Sequence, residues 1–262
     1  MLKLGRKPRG NNPHVPKLAQ MRQGAPMQLP IPLSVDYSAG LPADLGMLGN
    51  DQYGDCTCAA YYHARQVWSA VAQKKLEAET PTNALALYSQ ACGFNPGDSS
   101  TDQGGVEQDV LTYVLNQGAP IGDGTQRDHL IAFAEVDVTS VDDLRRCIYE
   151  CGVAYIGLNL PQNIVVDSAP PDVWDFVPPA DDGGEPEPIV GGHAVVLCGY
   201  TLDDFTLISW GRTYRATNRF ITNYCEEAYA LADAEWVKST GMTPLGMPIV
   251  ELEDYMKRLY NA

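Results

Sequence analysis

The stretch Gly49-Asn50-Asp51-Gln52-Tyr53-Gly54-Asp55-Cys56-Thr57-Cys58-Ala59-Ala60 places glycine, an amide side chain and a cysteine at the start of a predicted helix, which runs from Thr57 to about Lys74. A thiol at a helix N-terminus lies at the positive end of the helix dipole, which lowers its pKa and favours the thiolate. Cys56 is therefore a candidate nucleophile.

A candidate base lies in the stretch Ile189-Val190-Gly191-Gly192-His193-Ala194-Val195-Val196-Leu197-Cys198-Gly199-Tyr200. The apolar, β-branched run after His193 predicts a buried strand. This prediction places the imidazole at the start of a strand, directly after two glycines.

Four short motifs follow one another between about Asp36 and Tyr224. They are Gly54-Asp55-Cys56-Thr57-Cys58-Ala59-Ala60, Thr101-Asp102-Gln103-Gly104-Gly105, the histidine stretch, and Ser209-Trp210-Gly211. In this order they resemble the motifs of papain-like cysteine peptidases, and more narrowly those of divergent bacterial and bacteriophage-encoded relatives. His193 lies 137 residues after Cys56, which is within the Cys-to-His interval of papain-like proteases.

The resemblance implies an α+β fold of the papain-like type, with two lobes. We expect a papain-like domain over residues 36–224, with a helical lobe to about residue 121 and an antiparallel β-barrel-like lobe from about 122. Residues 1–35 then form a basic, Pro-rich extended arm, and residues 225–262 form a C-terminal helical extension. Within these ranges we predict a strand at Arg219-Phe220-Ile221 and helices over Tyr224 to Lys238 and Pro248 to Tyr260.

The resemblance also implies roles for six residues: a nucleophile, a base, an oxyanion-binding amide, an aromatic shield and a two-residue substrate-binding turn. In the same order, these are Cys56, His193, Asn50, Trp210, and Gly104 with Gly105. In the implied reaction the Cys56 thiolate attacks an acyl carbon and His193 protonates the leaving amine.

Cys58 is an alternative candidate for the nucleophile. In the family a Gln stands six residues before the nucleophile; Asn50 holds that position for Cys56, whereas Gln52 would hold it for Cys58. The residues around Cys56 fit the bacterial form of the motif better, so we favour Cys56. A metal site at Cys56, Cys58 and His63 is a further alternative, but it lacks a second ligand pair at a familiar spacing.

The third member of the family's catalytic triad is replaced. The Asn that orients the histidine falls at Ile208, whose side chain cannot form a hydrogen bond. Ser209 is the nearest polar substitute, but on a regular strand it is expected to point to the opposite face. The sequence therefore leaves open whether the site is active.

The chain has 262 residues and a formal net charge of −15, which is distributed unevenly. Residues 1–35 contain six Lys or Arg and no acid, so the remainder carries −21. A body this acidic repels nucleic acid and anionic membranes, while the basic arm favours an acidic surface. We therefore expect a protein or peptide partner, no nucleic acid and no membrane.

The arm lacks a sustained period, which predicts an extended segment. We expect it to bind a partner or a neighbouring subunit, such as a capsid or tail protein of a virion, within a homo- or hetero-oligomeric assembly. No signal peptide is evident, so synthesis in the cytoplasm is expected. Association with a virion is a separate expectation. The seven cysteines give no clear disulfide framework, and we expect neither a metal nor another cofactor.

Two functions remain open from the sequence. The first is a thiol hydrolase, a phage or prophage virion component that uses Cys56 and His193 to cleave peptide or isopeptide bonds. The second is a catalytically decayed structural or decoration protein that binds partners through its N-terminal arm. The replacement at Ile208 favours the second, whereas the retained Asn50 and Trp210 favour the first.

Overall fold

The computed structural model describes residues 2–10, 15–19, 30–166, 169–179, 185 and 187–240. Its α-helices within these ranges are Cys56–Ala72 (α1), Pro81–Cys92 (α2), Glu107–Gln117 (α3), Val141–Cys151 (α4), Asn218–Tyr224 (α5) and Ala234–Thr240 (α6). Its strands are Val35–Asp36 (β1), Ala119–Ile121 (β2), Gln126–Asp128 (β3), Leu130–Glu135 (β4), Ala154–Pro161 (β5), Val173–Trp174 (β6), Ile189–Tyr200 (β7), Asp204–Ser209 (β8), Arg212–Thr217 (β9) and Cys225–Asp233 (β10).

Local sequence signals set the ends of the helices. The side chain of Thr80 accepts a hydrogen bond from the Asn83 N–H at the start of α2, and Ser140 caps α4 in the same way. Asp142 and Asp143 follow in the first turn of α4, where the helix dipole favours negative charge. The sequence thus fixes the starts of α2 and α4 through local capping residues.

One large sheet organises the molecule. Its strand order is β4-β10-β5-β7-β8-β9-β6, and β1 pairs with β7 beside this path. The described end strands β4 and β6 do not pair with each other, so the sheet is open and the β-rich lobe is not a closed barrel. β2 and β3 form a separate two-stranded sheet.

The two faces of the sheet are covered by different helices. Along β7, side chains alternate: Ala194 and Val196 pack on the side of α1, while Val195 and Leu197 pack on the side of α4. This alternation is the period of a strand that is buried on both faces. The mixed α+β architecture with a helical lobe against the sheet is the predicted one.

The prediction of a helix over Tyr224 to Lys238 is wrong. Residues 225–233 form β10, which lies between β4 and β5. The strand is buried at every position except Glu226, and residues 228–232 form a continuous apolar run without the alternation of a half-exposed strand. Because that run is rich in alanine and leucine, its local propensity favours a helix, and tertiary pairing overrides it. Residues 225–233 therefore belong to the central sheet and not to an extension.

The strand predicted at Arg219-Phe220-Ile221 is also wrong. These residues lie in α5, whose first turn is capped by Thr217: its side chain accepts a hydrogen bond from the Phe220 N–H. The predicted helix over Pro248 to Tyr260 lies outside the described residues. In the part of the chain that the structure describes, none of the helices has both the length and the apolar character needed to traverse a bilayer.

The N-terminal arm packs on the body where it is described. Leu18 is 1% exposed and lies in the core on the α4 side of the sheet. The Glu135 N–H donates to the Pro16 carbonyl at 2.8 Å, which fixes the arm beside β4. The arm is thus held by apolar burial as well as by backbone hydrogen bonds.

We expect Leu18→Ala to destabilise the protein, because it removes a buried side chain from the main core. Loss of such a leucine typically costs about 2–5 kcal/mol, which for a chain of this size lowers Tm by roughly 5–15 °C. Leu33→Ala is the matched control, since Leu33 is 75% exposed. Equal melting temperatures for the two variants, measured by circular dichroism, would contradict the packing of the arm.

Candidate active site

Cys56 is the first residue of α1, and only 1% of its surface is exposed. The backbone N–H groups of Ala194 and Gly5 lie near its thiol and oppose the rise in its pKa that burial causes. Ala194 directly follows His193 in β7, and α1 packs across that strand. The fold therefore brings the predicted nucleophile to the strand that carries the predicted base.

His193 lies inside β7 and is also 1% exposed. Its Nε2 atom is hydrogen-bonded to Ser209 Oγ at 2.8 Å. Its ring stacks on Trp210, with the ring centroids 4.4 Å apart and an interplanar angle of 20°. No described side chain or backbone group forms a hydrogen bond with its Nδ1 atom, so this nitrogen remains available for the thiol or the substrate.

Ser209 therefore stands where the sequence offered no orienting group, and the expectation that it points away from His193 is wrong. Ser209 is the last residue of β8, and Trp210 and Gly211 after it have positive φ angles of 46° and 72°. Ser209 lies on the opposite face of β8 from Ile208, and the alternation along β7 puts His193 on that same face, opposite Ala194 and Val196. Ile208 is buried on the α1 side of the sheet.

A second tryptophan, Trp174, packs against Trp210, and this contact was not predicted. Trp174 belongs to a proline-rich segment between β5 and β7, and it is fully buried. Its ring lies 5.8 Å from that of Trp210, centroid to centroid. β6 pairs with β9 and brings Trp174 to this position.

Asn50 is buried close to the start of α1. Its Nδ2 atom donates to the Tyr53 carbonyl at 3.1 Å, within its own loop. Burial raises the pKa of Asp55, the residue before Cys56, well above its ordinary value, and the Asn50 amide opposes that shift. Asn50 thus lies beside the nucleophile's loop, but in this conformation its amide is engaged in holding the loop together.

Cys58 faces away from the cleft. It is fully buried, and its thiol interacts with that of Cys92 in α2. This arrangement favours Cys56 over Cys58 as the cleft-facing thiol. Within the described ranges, no group of three or more His, Cys, Asp or Glu side chains is arranged to hold a metal ion.

His63 has a structural environment. Its Nδ1 atom is hydrogen-bonded to Gln66 Oε1 at 2.8 Å, and the Gln66 amide donates to the Leu45 carbonyl at 2.9 Å. Burial lowers the pKa of His63 to about 4, so the ring is neutral at pH 7. Through Gln66 it is linked to the loop before α1.

The chain's own arm covers the site. The N–H groups of Gly5 and Arg6 donate to the Gly192 carbonyl at 3.2 and 3.0 Å. On the other wall, the Gly105 N–H donates to the Gly5 carbonyl and the Lys7 N–H donates to the Gly105 carbonyl, both at 2.8 Å. The predicted substrate-binding turn therefore binds an extended peptide, which is the arm itself.

The approach of the arm depends on glycine on both sides. A Cβ atom built on Gly5 would lie 1.9 Å from the Gly54 carbonyl oxygen, and one on Gly104 would lie 2.0 Å from the Gly5 oxygen. A Cβ on Gly192 would lie 2.4 Å from the Arg6 oxygen. No side chain fits at these positions while the arm is bound.

Burial determines the charge of the catalytic pair in this conformation. It raises the pKa of Cys56 to about 12. It also lowers the pKa of His193 to about 3, with a smaller contribution from His63. Between these values the thiol is protonated and the imidazole is neutral, so no thiolate–imidazolium pair forms while the arm covers the cleft.

Solved structures with a similar fold are cysteine proteases. Xylellain, a cysteine protease from Xylella fastidiosa, matches with a TM-score of 0.63 and 15% identity, covering 89% of this chain and 97% of that one. Digestive procathepsin L 3 from the larval midgut of Tenebrio molitor matches with a TM-score of 0.54 and 14% identity over 82% of this chain and 77% of that one. The cysteine protease CMS1MS2 from Carica candamarcensis matches with a TM-score of 0.50 and 15% identity over 78% and 99%, respectively.

The chain has the fold of the papain-like cysteine proteases. No protein-family model matches the sequence, and the search of curated proteins gave no match. At these identities the likeness establishes the papain-like fold, and the roles of individual residues rest on the geometry described above.

We expect iodoacetamide to label Cys56 slowly in the resting protein at pH 7. Because the pKa of the thiol is raised to about 12, the labelling rate should increase about tenfold per pH unit above pH 7. The pKa of Cys92 is lowered and this residue is only partly buried, so it should be labelled first.

Mass spectrometry of tryptic peptides locates the label, and Cys56→Ala identifies the Cys56 signal. Fast labelling of Cys56 below pH 7 in the intact resting chain would show that a thiolate–imidazolium pair already exists. That result would contradict the charge state described here.

Proposed function

We propose that the chain is a papain-like thiol hydrolase that cleaves peptide bonds and whose N-terminal arm blocks its own cleft. The observation that carries the proposal is the joint position of Cys56 and His193 under residues 4–7. The backbone of Gly5 lies near the thiol, and the same residue is hydrogen-bonded to both walls of the cleft. A cleft that binds the backbone of an extended peptide at the nucleophile supports a peptide as the substrate.

Release of the arm would change the charge state of the pair. Water entering the cleft lowers the desolvation cost of both ions, so the pKa of Cys56 falls and that of His193 rises. The position of Cys56 at the start of α1 adds the helix dipole, which favours the thiolate. The protein then holds the nucleophile and the acid in the forms that the reaction needs.

The reaction follows from these two groups. The thiolate attacks the carbonyl carbon, and the backbone N–H of Cys56 at the open end of α1 is available to the developing oxyanion. His193 transfers its proton to the leaving amine as the C–N bond breaks. Water then attacks the thioester with His193 as base and releases the acid. Ser209 and Trp210 hold the imidazole in place throughout.

We also propose two narrower properties, cleavage of isopeptide bonds and association with a virion. Cleavage of isopeptide bonds and association with a bacteriophage virion rest on the sequence resemblance and on the basic charge of residues 1–35. A capsid or tail protein with an acidic surface would be a suitable partner for this arm. The second candidate, a decayed decoration protein, is supported by the replacement of the orienting Asn by Ile208.

We expect Gly5→Ala to open the cleft, since the new Cβ cannot fit against Gly54. Cys56 should then be alkylated at pH 7 at least about 10²-fold faster, because its pKa returns toward the ordinary value of a thiol. Hydrolysis of a quenched fluorogenic peptide library should appear at the same time and be abolished by Cys56→Ala.

Gly10→Ala is the matched control for this prediction. It is the same substitution in the same arm, but a Cβ atom built on Gly10 has its nearest neighbour at 4.0 Å. Equal alkylation rates for the two variants would contradict the block by the arm. Fast alkylation of Gly5→Ala without any hydrolysis would favour the decayed protein.

We expect Ser209→Ala to reduce hydrolysis in the Gly5→Ala chain by at least about tenfold in kcat, because the imidazole loses its hydrogen-bonded partner. Ser209→Thr keeps a hydroxyl and should retain most of the activity. A Ser209→Ala variant with unchanged kcat and an unchanged pH profile would exclude an orienting role for Ser209.

A further inference from the structure

A buried acidic pocket opens from the cleft beside residue 6 of the arm. Glu227 in β10 and Glu107 at the start of α3 are at most 1% exposed. Glu226 and Asn159 form the outer side of the pocket. Gly157 forms one wall, where a Cβ atom would lie 2.2 Å from the side-chain Nε of Arg6. The pocket is therefore shaped for a long side chain and has acceptors on several sides.

Arg6 fills this pocket. Its Nε atom donates to Glu227 Oε1 at 2.8 Å, and its Nη2 and Nη1 atoms donate to Glu226 Oε2 at 3.1 Å and Asn159 Oδ1 at 3.2 Å. Its side chain is 1% exposed. Each of the three nitrogens thus has its own acceptor, on two neighbouring strands.

The pocket demands a cation. Both carboxylate oxygens of Glu107 are buried, and its side chain lies beside that of Glu227. Burial raises the pKa of Glu107 well above its ordinary value, the nearby charge of Glu227 raises it further, and Arg6 opposes both effects. The buried carboxylate of Glu227 is costly without a positive charge beside it, and Arg6 supplies that charge.

We propose that this pocket is the specificity site for an arginine side chain in peptide substrates, with Arg6 of the arm as its resident occupant. The backbone of residue 6 is aligned with Gly105 by the two hydrogen bonds that flank it. An external peptide bound to the same turn would present one side chain to the same acceptors. This assignment rests on the proposed function, because it names the substrate class of that site.

The geometry favours arginine over lysine. Three acceptors on three different residues surround the guanidinium, and a planar group with several N–H donors can serve them together. The single ammonium of lysine cannot reach all three. Citrulline has nearly the shape of arginine without its charge and would leave the buried Glu227 carboxylate uncompensated.

The test uses the full-length Gly5→Ala chain and a blocked synthetic peptide with the sequence of residues 2–10. The peptide should protect Cys56 from iodoacetamide at pH 7. Citrulline in place of Arg6 in the peptide should raise the half-protecting concentration on the order of 30-fold or more, since a buried charge pair is broken. Lysine at this position should give an intermediate value.

Citrulline in place of Arg9 is the matched control. Arg9 pairs with Glu135 at 2.7 Å, but its side chain is 38% exposed, so we expect a change of less than about fivefold. In a Glu227→Gln chain the preference for arginine over citrulline should shrink at least about tenfold. Thermal melting confirms that each chain is folded, and an Arg6→Ala chain replaces Gly5→Ala if the latter does not fold.

The possible outcomes distinguish the proposed arginine site from the proposed hydrolase function. Arginine-dependent protection without hydrolysis of any peptide would retain the pocket and overturn the proposed function. Hydrolysis without a preference for arginine would retain the function and overturn the pocket. Absence of protection by the peptide, equal protection by arginine and citrulline peptides, or an unchanged preference in Glu227→Gln would also overturn the assignment.

Discussion

Burial of the Cys56–His193 pair beneath the N-terminal arm is the constraint on which the site depends. Neither group can carry its catalytic charge in the dry cleft, because the desolvation cost exceeds what the helix dipole and two backbone N–H groups supply. The sequence-based expectation of a low thiol pKa considered only the helix. The charge state is instead a property of whether the cleft is filled, so the same residues support an inert and a reactive form.

The arm can fill the cleft this tightly because glycine faces glycine. Gly5 lies against Gly54 and Gly104, and hydrogen bonds from both walls hold its backbone. Backbone contacts of this kind are independent of sequence, so they fix the path of a peptide without selecting it. Preference for a particular side chain therefore depends on the pocket next to this path, where Arg6 is hydrogen-bonded to Glu227. Affinity for an extended chain and preference for a residue type thus come from different parts of the same cleft.

Several features of the fold and the site were predictable because their signals are local. The helix after Cys56, the caps of α2 and α4 and the strand at His193 each have a short sequence signature. β10 was missed because a strand buried on both faces has no alternation to detect. Ser209 was misplaced because the face of the sheet on which His193 lies is set by the pairing of β7 with β8, which the sequence alone does not show. Glu107 and Glu227 are far apart in sequence, so only the folded sheet shows that they share one pocket.

In the proposed function the arm and the substrate compete for the same pocket, and this competition determines how the cleft opens. A covalently attached segment acts at an effective concentration in the millimolar range or above, so a free peptide at lower concentration displaces it poorly. Capture of the arm elsewhere shifts the equilibrium by the full free energy of that binding. Residues 1–35 carry all of their charge as Lys and Arg, and Arg6 and Arg9 are both paired with carboxylates in the closed form. An acidic surface that offers these arginines new partners would therefore withdraw the Arg6 side chain from the acidic pocket and expose the Cys56 thiol in the same step.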